Sequence, residues 1–319
     1  MAVRVTVLMP TRNAERFVGE ALQSIADSSI TKRTNLEILV LDACSTDRTQ
    51  AIVREFEPLA RLSARVDGGM YQALNRGLDE ALGDVIGWLN ADDLWDPEGP
   101  AAVFDALERD AALDFAYGDQ AYRDLRNGMF TVVPNSDDAL GALRRCELER
   151  ADVGTLAMLW RRQAISEIRW DPSYRMLADY DFWIRVAMRA PSFRSVRVPV
   201  CAGTFRWHDG SMTWGGGHQE QVYLESLRVT DHFLGRADLA PEIRRYVEAK
   251  RRVTLADMIW WQAQQRRARD VLRYGRMLER LGGSWVSVVA RRAGSALLRR
   301  ALPRDAFTRA RSIYKGMTI

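Results

Sequence analysis

The sequence predicts an α/β fold, in which a mostly parallel sheet is flanked by helices and followed by a helical C-terminal extension. Over the first 95 residues, short apolar segments rich in β-branched residues alternate with segments of helical character. This alternation is typical of parallel strands joined by crossover helices. Beyond residue 217 no pattern typical of strands remains, so that part is expected to be helical.

Four strands are expected in the parallel part of the sheet, over residues 3–9, 36–41, 61–66 and 85–89. The last of these is apolar throughout, which is typical of an interior strand with both faces buried. The helices between the strands are expected to begin at residues that can cap a first turn. These are Asn13, Ser45 or Thr46, a residue near Tyr71, and Asp96, which is followed by a proline suited to the first helical position.

The middle of the chain is less regular. An antiparallel pair is expected over residues 115–122 and 129–133, a strand over 154–160, a helix over 179–189 and an extended segment over 194–205. Three consecutive glycines at 215–217 then interrupt the chain, and such clusters mark loops and boundaries. We therefore expect one domain over residues 1–217, with the functional site, and a basic helical extension over residues 218–319.

The 319 residues suffice for one large domain with an extension, and 47% of them are hydrophobic. No run of eighteen apolar residues occurs, so no membrane-spanning helix is expected. The N-terminal apolar run is too short for a secretory signal and is typical of a first strand. Cys44, Cys146 and Cys201 are widely separated, without metal-ligand spacing, which indicates free thiols in a reducing cytoplasm.

Charge is distributed unevenly along the chain. Residues 241–319 contain nineteen Lys and Arg against six Asp and Glu, so they contribute +13 to a chain whose net charge is +4. Residues 285–319, which begin with a tryptophan and several valines, are expected to contact an anionic membrane surface. The alternative, a helical cap with its arginines in solvent, is favoured for residues 241–280. Nucleic acid is not an expected partner, because no recognisable binding module is present.

The strongest functional signal follows the strand at 85–89, where the sequence continues Asn90-Ala91-Asp92-Asp93. Side chains at the carboxyl end of a parallel strand face the crevice in which open α/β sheets bind ligands. Hard cations such as Mg²⁺ and Mn²⁺ prefer carboxylate oxygens and are often shared with substrate phosphates. The segment therefore indicates a metal–diphosphate site, the alternative being that the two carboxylates only cap the next turn.

A second candidate segment follows the strand at 36–41. Asp42 is placed to accept hydrogen bonds from a base or ribose, and Asp47 is expected to cap backbone amides of the same loop. The alternative is an ordinary turn, because Ser, Thr and Asp are common turn residues.

Together these segments resemble family 2 glycosyltransferases of the bacterial polysaccharide-biosynthesis type, which have the GT-A fold, a Rossmann-like α/β arrangement. The resemblance covers roughly the first 215 residues. It rests on four motifs in the family's order and spacing: VLMPTRN at 7–13, DxxSxDxT at 42–49, NADD at 90–93 and ADYDFWIR at 178–185. The segment DGGMYQALNRG at 67–77 further resembles one branch of bacterial polysaccharide transferases.

The resemblance implies a donor site for a nucleotide-diphosphate sugar, first of all a UDP-sugar. Asp42 would contact the base or ribose, and Asp67 would face the nucleotide from the next strand end. The full set of residues implied to line the nucleotide or donor site is Pro10, Thr11, Asn13, Asp42, Asp67, Asn75, Arg76, Asn90 and Ala91.

The resemblance also implies a divalent cofactor, Mn²⁺ or Mg²⁺, held by Asp92, Asp93 and His208. The family usually has Asp where Asn90 stands, which leaves Asp92 as the best single ligand. Asp179 matches the proposed general base, which takes the acceptor hydroxyl proton as the sugar transfers. Ala178 stands where the family usually has Glu, and the alternative role of Asp179 is to cap its helix.

The resulting prediction is a cytoplasmic, metal-dependent, inverting glycosyltransferase of the hexosyltransferase type (EC 2.4). It would act on a saccharide or lipid-linked acceptor in cell-surface polysaccharide or glycolipid assembly, peripherally at the inner face of the cell membrane. A sugar-1-phosphate nucleotidyltransferase is one alternative, although its Gly-rich loop is absent from residues 10–13. A non-catalytic glycan- or nucleotide-binding relative is the other, suggested by the replacements at Asn90 and Ala178.

Overall fold

The computed structural model describes residues 4–139, 141, 154–189, 193–212 and 218–292. Within these ranges the strands are β1 Val5–Thr11, β2 Leu36–Asp42, β3 Ala60–Ala64, β4 Val85–Trp88, β5 Leu94–Trp95, β6 Phe115–Asp124, β7 Phe130–Val133, β8 Met158–Arg161 and β9 Ser195–Trp207. The helices of the same ranges are α1 Val18–Asp27, α2 Thr49–Arg54, α3 Met70–Glu80, α4 Gly99–Arg109, α5 Arg162–Ile165, α6 Ala178–Arg189, α7 Gln219–Leu234, α8 Pro241–Gln264 and α9 Ala268–Glu279. Residues 285–292 are also helical.

Strands β1 to β4 form a parallel half-sheet in the order β3-β2-β1-β4, as the alternation of apolar and helical segments predicts. Alternate side chains of the central strands pack on opposite faces. Leu8 and Leu39 lie in one core with α3, whereas Val7 and Ile38 lie in a second core with α1 and α4. The register places Thr11 beside Asp42, so the polar segments after β1 and β2 emerge side by side at one edge.

The second half of the sheet is mixed and continues from β4 in the order β8-β6-β9-β5. β8 is antiparallel to both β4 and β6, whereas β9 runs parallel to β6. The predicted pairs and extended segments are confirmed as β6 with β7 and as β9, but the strand expected from residue 154 begins only at Met158. The short strand β5 follows β4 and pairs with the end of β9. This pairing brings the segment after β4 next to the end of β9.

Two predicted helix starts are wrong and a third is displaced along the chain, and hydrogen bonds explain each case. Asn13 does not cap α1, because it adopts a φ of 48° and its side-chain carbonyl accepts the backbone N–H of Thr46. Ser45 does not cap α2, because its hydroxyl donates to Asp42. Asp96 precedes α4 by three residues, yet it still accepts the first backbone amides of that turn at 3.0 and 3.1 Å.

The chain folds as two compact units, residues 1–247 and 248–319. The first unit therefore includes α7, while the functional boundary predicted after residue 217 stays a prediction. No helix among the described residues has the length and apolarity needed to cross a bilayer. Cys44 and Cys201 are free thiols; Cys146, the glycines 215–217 and residues 293–319 lie outside the described residues.

Candidate functional site

The loops after β1 and β2 are hydrogen-bonded to each other at the carboxyl edge of the sheet. The Asn13 backbone N–H donates to Ser45 Oγ at 2.8 Å, and Asn13 Oδ1 accepts the Thr46 N–H at 2.9 Å. The Glu15 N–H donates to Asp47 Oδ2 at 3.1 Å. Asp47 therefore caps backbone amides as predicted, and the paired loops form one polar rim with Asn13 exposed on it.

Asp42 lies fully buried beneath this rim. Its carboxylate accepts the Ser45 backbone N–H at 2.8 Å and Gln50 Nε2 at 2.7 Å, in addition to the Ser45 hydroxyl. Neighbouring Thr11 is also buried, and its hydroxyl donates to the Met9 carbonyl at 3.2 Å. The structure thus shows Asp42 fixing the loop around it, while direct contact of Pro10, Thr11 or Asp42 with a nucleotide stays a prediction.

The segment after β4 is held by its own amide side chain. Asn90 Oδ1 accepts the Trp88 indole Nε1–H at 2.9 Å, and Asn90 Nδ2 donates to Asp93 Oδ2 at 3.3 Å. Ala91 between them is buried. An amide side chain can donate to Asp93 while it accepts from the indole, so the asparagine at position 90 suits both of its partners.

Asp93 lies beneath the loop that follows β4. Its side chain is fully buried, and Oδ1 accepts the Arg206 backbone N–H at 2.9 Å. Burial, together with the neighbouring charge of Asp92, raises the pKa of Asp93 well above its usual range. In this position Asp93 supports the loop through the Arg206 N–H, and its predicted role as a metal ligand stays a prediction.

Asp92, by contrast, faces outward beside His208. Its side chain is 34% exposed, and its Oδ2 lies 3.2 Å from His208 Nε2. The other ring nitrogen, Nδ1, accepts the Gly210 N–H at 3.1 Å. In the neutral tautomer that these contacts favour, Nε2 donates its proton to Asp92, so His208 orients this carboxylate, and a metal at Nε2 would require the other tautomer.

The donor set at this point fits a hard divalent cation with few protein ligands. Among the described residues no three His, Cys, Asp or Glu side chains are grouped to hold a metal by themselves. Mg²⁺ is commonly bound by only one or two carboxylates together with substrate phosphates and water. Asp92 provides one such carboxylate at a strand end, with His208 adjacent to it.

Arg206, near the end of β9, locks this segment in place. Its backbone N–H and Nε donate to Asp93 and to the Asp92 carbonyl, and its guanidinium pairs with Glu20 of α1. The guanidinium lies 5.1 Å from the Phe17 ring, and the His208 ring lies 4.4 Å from the same ring. β9 therefore delivers His208 to Asp92 through a buried arginine that also ties α1 to the site.

The residues predicted to approach the nucleotide from segment 67–77 have internal partners instead. Arg76 forms a bidentate pair with Asp67, at 2.8 Å from Nη2 and 3.2 Å from Nε, and also bonds Ser63 and Glu80. The Asp67 and Arg76 side chains are only 5% and 10% exposed. The pair joins β3 to α3, and its predicted role beside the nucleotide stays a prediction.

Asn75 likewise serves the fold. Its Nδ2 donates to the Trp170 carbonyl at 2.7 Å, and its Oδ1 accepts the Trp170 N–H at 3.0 Å. Two glycines complete this segment: Gly69 starts α3 with a φ of 152°, and a Cβ on Gly77 would lie 2.6 Å from the Leu41 side chain. The segment is thus a joint between the parallel half-sheet and residues near 170, and its contact with a nucleotide stays a prediction.

Asp179 lies in the first turn of α6 and touches this joint. The buried Tyr71 hydroxyl donates to the Met176 carbonyl at 2.9 Å and reaches Asp179 Oδ1 at 3.3 Å. The same carboxylate oxygen accepts the Tyr180 N–H at 2.8 Å. Burial, together with the charge of Asp179, raises the pKa of Tyr71 well above its usual range, so this hydroxyl remains a donor that orients the half-buried carboxylate.

Aromatic rings connect the segment at 90–93 with Asp179. The Trp88 ring contacts Tyr71 and Trp170 edge to face, with centroids 6.3 and 5.6 Å apart, and Trp170 stacks on Phe182 of α6 at 5.1 Å. Trp88 also holds Asn90 through its indole N–H. These rings therefore form one apolar wall that fixes the positions of both carboxylates, that of Asp92 through β4 and that of Asp179 through α6.

Sequence reasoning missed Tyr71 and Arg206 as site residues. Tyr71 lies in the segment 67–77, and its presence there was the signal that could have identified it. Its partner Asp179, however, lies 108 positions away in the sequence. Arg206 was missed because an arginine two positions before His208 is equally typical of a solvated strand end, and its partners Asp93 and Glu20 lie in distant parts of the chain.

Residues 6–167, half of the chain, match the family described as glycosyl transferase family 2. A PGL/p-HBAD biosynthesis glycosyltransferase of Mycobacterium bovis (strain BCG / Pasteur 1173P2) is 30% identical over 191 residues, covering 56% of this chain and 68% of that protein. As its name states, that relative is a glycosyltransferase of PGL/p-HBAD biosynthesis.

Two solved structures confirm the GT-A fold. Staphylococcus aureus TarS 1-349 in complex with UDP-GlcNAc has a TM-score of 0.60 at 17% identity, covering 82% of this chain and 81% of that one. Mannosyltransferase PcManGT from Pyrobaculum calidifontis, in complex with GDP-Man and Mn²⁺, has a TM-score of 0.59 at 18% identity, covering 93% of this chain and 81% of that one. With the family match over half of its length and this fold, the chain belongs to glycosyl transferase family 2 and is a glycosyltransferase.

Proposed function

We propose that this enzyme is a metal-dependent, inverting glycosyltransferase that moves a sugar from a nucleotide-diphosphate donor to a hydroxyl group. One observation supports the proposal above all: two carboxylates, Asp92 and Asp179, project from different elements that share one aromatic wall. They have different partners, a histidine for Asp92 and a tyrosine hydroxyl for Asp179. Two carboxylates in different environments suit two different tasks in one reaction.

Asp179 is proposed as the general base. In a single displacement the acceptor hydroxyl loses its proton as its oxygen attacks the anomeric carbon from the face opposite the leaving diphosphate, which inverts that carbon. The Tyr71 hydroxyl and the Tyr180 N–H both bond Oδ1, so the carboxylate has a fixed direction before the acceptor arrives. A base held in this way accelerates transfer because its proton-accepting geometry is formed in advance.

Asp92 is proposed to hold the cofactor, Mn²⁺ or Mg²⁺, with His208 beside it. When bound, such an ion supplies positive charge for the departing diphosphate. The protein's own contribution is rigidity: Arg206 binds both the Asp92 carbonyl and Asp93, and Asn90 binds both Trp88 and Asp93. Mn²⁺ in the structurally similar mannosyltransferase supports this assignment.

The donor is proposed to be a sugar nucleotide, with a UDP-sugar as the first candidate because TarS 1-349 binds UDP-GlcNAc in the same fold. The nucleotide would lie along the rim formed by the loops after β1 and β2. The acceptor is proposed to be a saccharide or lipid-linked saccharide of cell-surface polysaccharide or glycolipid assembly, as the names of the relatives suggest.

Release of nucleoside diphosphate tests this proposal. The full chain is incubated with UDP-GlcNAc, UDP-glucose, UDP-galactose or GDP-mannose, in the presence of octyl glycosides as soluble acceptors. One donor is expected to turn over, EDTA is expected to stop the reaction, and added Mn²⁺ or Mg²⁺ to restore it. Asp92→Ala is expected to abolish turnover and donor-dependent metal binding while the fold persists, because the side chain is partly exposed at a strand end.

Asp84→Ala is the matched control, since Asp84 is an exposed carboxylate at the opposite end of β4. It is expected to turn over like the wild type. Near wild-type turnover by Asp92→Ala, or turnover that EDTA leaves unchanged, would remove the metal from the proposal.

Contact of residues 285–319 with an anionic membrane surface is proposed as well. Trp285 is a weaker anchor than the sequence indicates, because a Cβ on Gly275 would lie 2.8 Å from its ring, so the ring packs closely on α9. Val286 is 58% exposed, and the net charge of +13 over residues 241–319 favours anionic lipid. The full chain should sediment with phosphatidylglycerol vesicles at low salt but not at high salt. Equal sedimentation with phosphatidylcholine vesicles would contradict electrostatic contact.

A further inference from the structure

The short segment before α6 is held by a single carboxylate from a distant helix. Glu225 of α7 accepts three consecutive backbone N–H groups: Arg175 at 2.9 Å, Met176 at 2.8 Å and Leu177 at 3.1 Å. Glu225 is only 8% exposed. A buried carboxylate is costly unless its oxygens are hydrogen-bonded, and these three bonds satisfy both oxygens at once.

The position of this contact in the chain gives it a functional meaning. Residues 175–177 directly precede the first turn of α6, where Asp179 stands, and the N-terminal amides of a helix lack partners within the helix. Met176 is gripped from two sides, because its N–H donates to Glu225 while its carbonyl accepts the Tyr71 hydroxyl. Tyr71 in turn contacts Asp179. The direction of the Asp179 carboxylate therefore depends on a backbone segment that Glu225 holds.

We propose that Glu225 is a positioning residue for the transfer reaction, acting through the backbone of residues 175–177 on Asp179. The inference rests on the proposed role of Asp179 as the general base. It extends the catalytic machinery into α7, which lies well beyond residues 6–167 that match the family. α7 is thus a part of the acceptor side of the enzyme rather than of a separate C-terminal extension.

Glu225→Gln is the first test, with the donor that turns over best among the four sugar nucleotides above. The change keeps the side-chain shape but turns one acceptor oxygen into an N–H₂ group that faces backbone donors. The kcat for transfer to octyl glycosides is expected to fall about 10- to 100-fold, the size of effect that a misplacement of about 1 Å produces. The Kd for the free nucleoside diphosphate is expected to stay at the wild-type value, because the bonds of residues 175–177 that this change disturbs run to Glu225 and not to the loops after β1 and β2.

Glu225→Asp is the second variant. It keeps the negative charge but shortens the side chain by one methylene, so it cannot reach all three amides. A similar fall in kcat supports positioning, whereas wild-type kcat would show that only the charge of Glu225 matters and would overturn the proposal. Glu220→Gln, which removes a charge from the first turn of the same helix, is the control and should leave kcat unchanged.

Measurements of thermal unfolding separate positioning from stability. All rates are taken far below the Tm of each variant. A lowered Tm with wild-type kcat in both Glu225 variants would make the residue purely structural and would overturn the inference.

A double variant tests whether Glu225 acts through Asp179. The double variant Glu225→Gln/Asp179→Asn should be no slower than Asp179→Asn alone, because residues that act as one unit have non-additive effects. Additive losses would mean a separate route and would overturn the inference. Wild-type turnover by Asp179→Asn alone would instead refute the proposed base, which is a distinct result.

Discussion

The two proposed sides of the site, one for the donor and one for the acceptor, are built in different ways. On the donor side, the loops after β1 and β2 bond each other across 32 or 33 positions of sequence, and they emerge from neighbouring parallel strands. On the acceptor side, residues 175–179 are held by Tyr71 and Glu225, at separations from 48 to 108 positions. The donor side is a product of adjacent strands, whereas the acceptor side is assembled from distant elements.

This difference explains why motifs describe one side well and the other poorly. Polar residues at the ends of adjacent parallel strands must meet at one edge, so a local pattern is enough to locate them. A carboxylate such as Asp179 owes its orientation to a tyrosine on α3 and a glutamate on α7, and neither lies in its motif. If the contrast is real, substitutions on one side should leave the other side working.

The largest difference between the effects on the two sides is expected from Asp179→Asn. The amide is nearly isosteric with the carboxylate but accepts no proton, so kcat for transfer should fall about 10²–10⁴-fold. Affinity for the nucleoside diphosphate should persist, because the loops after β1 and β2 are untouched. Turnover measured by diphosphate release, together with titration calorimetry of the nucleotide, checks both statements.

Glu167→Gln is a suitable control for that variant, since Glu167 is a largely exposed acid of the same region, paired only at the surface with Arg189. It should retain wild-type kcat. A loss of nucleotide affinity in Asp179→Asn, with kcat at saturation unchanged, would place Asp179 on the donor side and erase the contrast.

Most of the parallel half-sheet was predictable from the sequence. The strands at β1, β2 and β4 are apolar on both faces because two separate cores, one with α3 and one with α1 and α4, cover them. Helix starts were less predictable. Asn13 and Ser45 have side chains that can cap a helix, but here they bond the neighbouring loop instead, and local propensity does not distinguish the two uses.

The candidate site was predictable in its location but not in the role of each residue. Asp92 and Asp93 are adjacent in sequence and chemically identical, yet one is partly exposed and the other fully buried. The difference arises because Asp93, and not Asp92, accepts the backbone N–H of Arg206, 113 positions later in the sequence. Asp67, Asn75 and Arg76 have residue types suited to a nucleotide. In the structure Asp67 and Arg76 pair with each other, and Asn75 bonds the Trp170 backbone. Only the folded chain brings these partners together.

The smallest change in chemistry, and the sharpest test of that last assignment, is Asn75→Ala. It removes both hydrogen bonds to the buried Trp170 backbone. Each buried polar group that loses its partner lowers the free energy of unfolding by about 1–3 kcal/mol. The free energy of unfolding in urea should therefore drop by at least that amount, while affinity for the nucleoside diphosphate stays at the wild-type value. Asp79→Ala is the matched control, because Asp79 on the same helix pairs with Arg169 at the surface, and an exposed ion pair is worth about 0–1 kcal/mol. The opposite result, wild-type stability with weakened nucleotide binding, would return Asn75 to the donor site and show that segment 67–77 serves both sides.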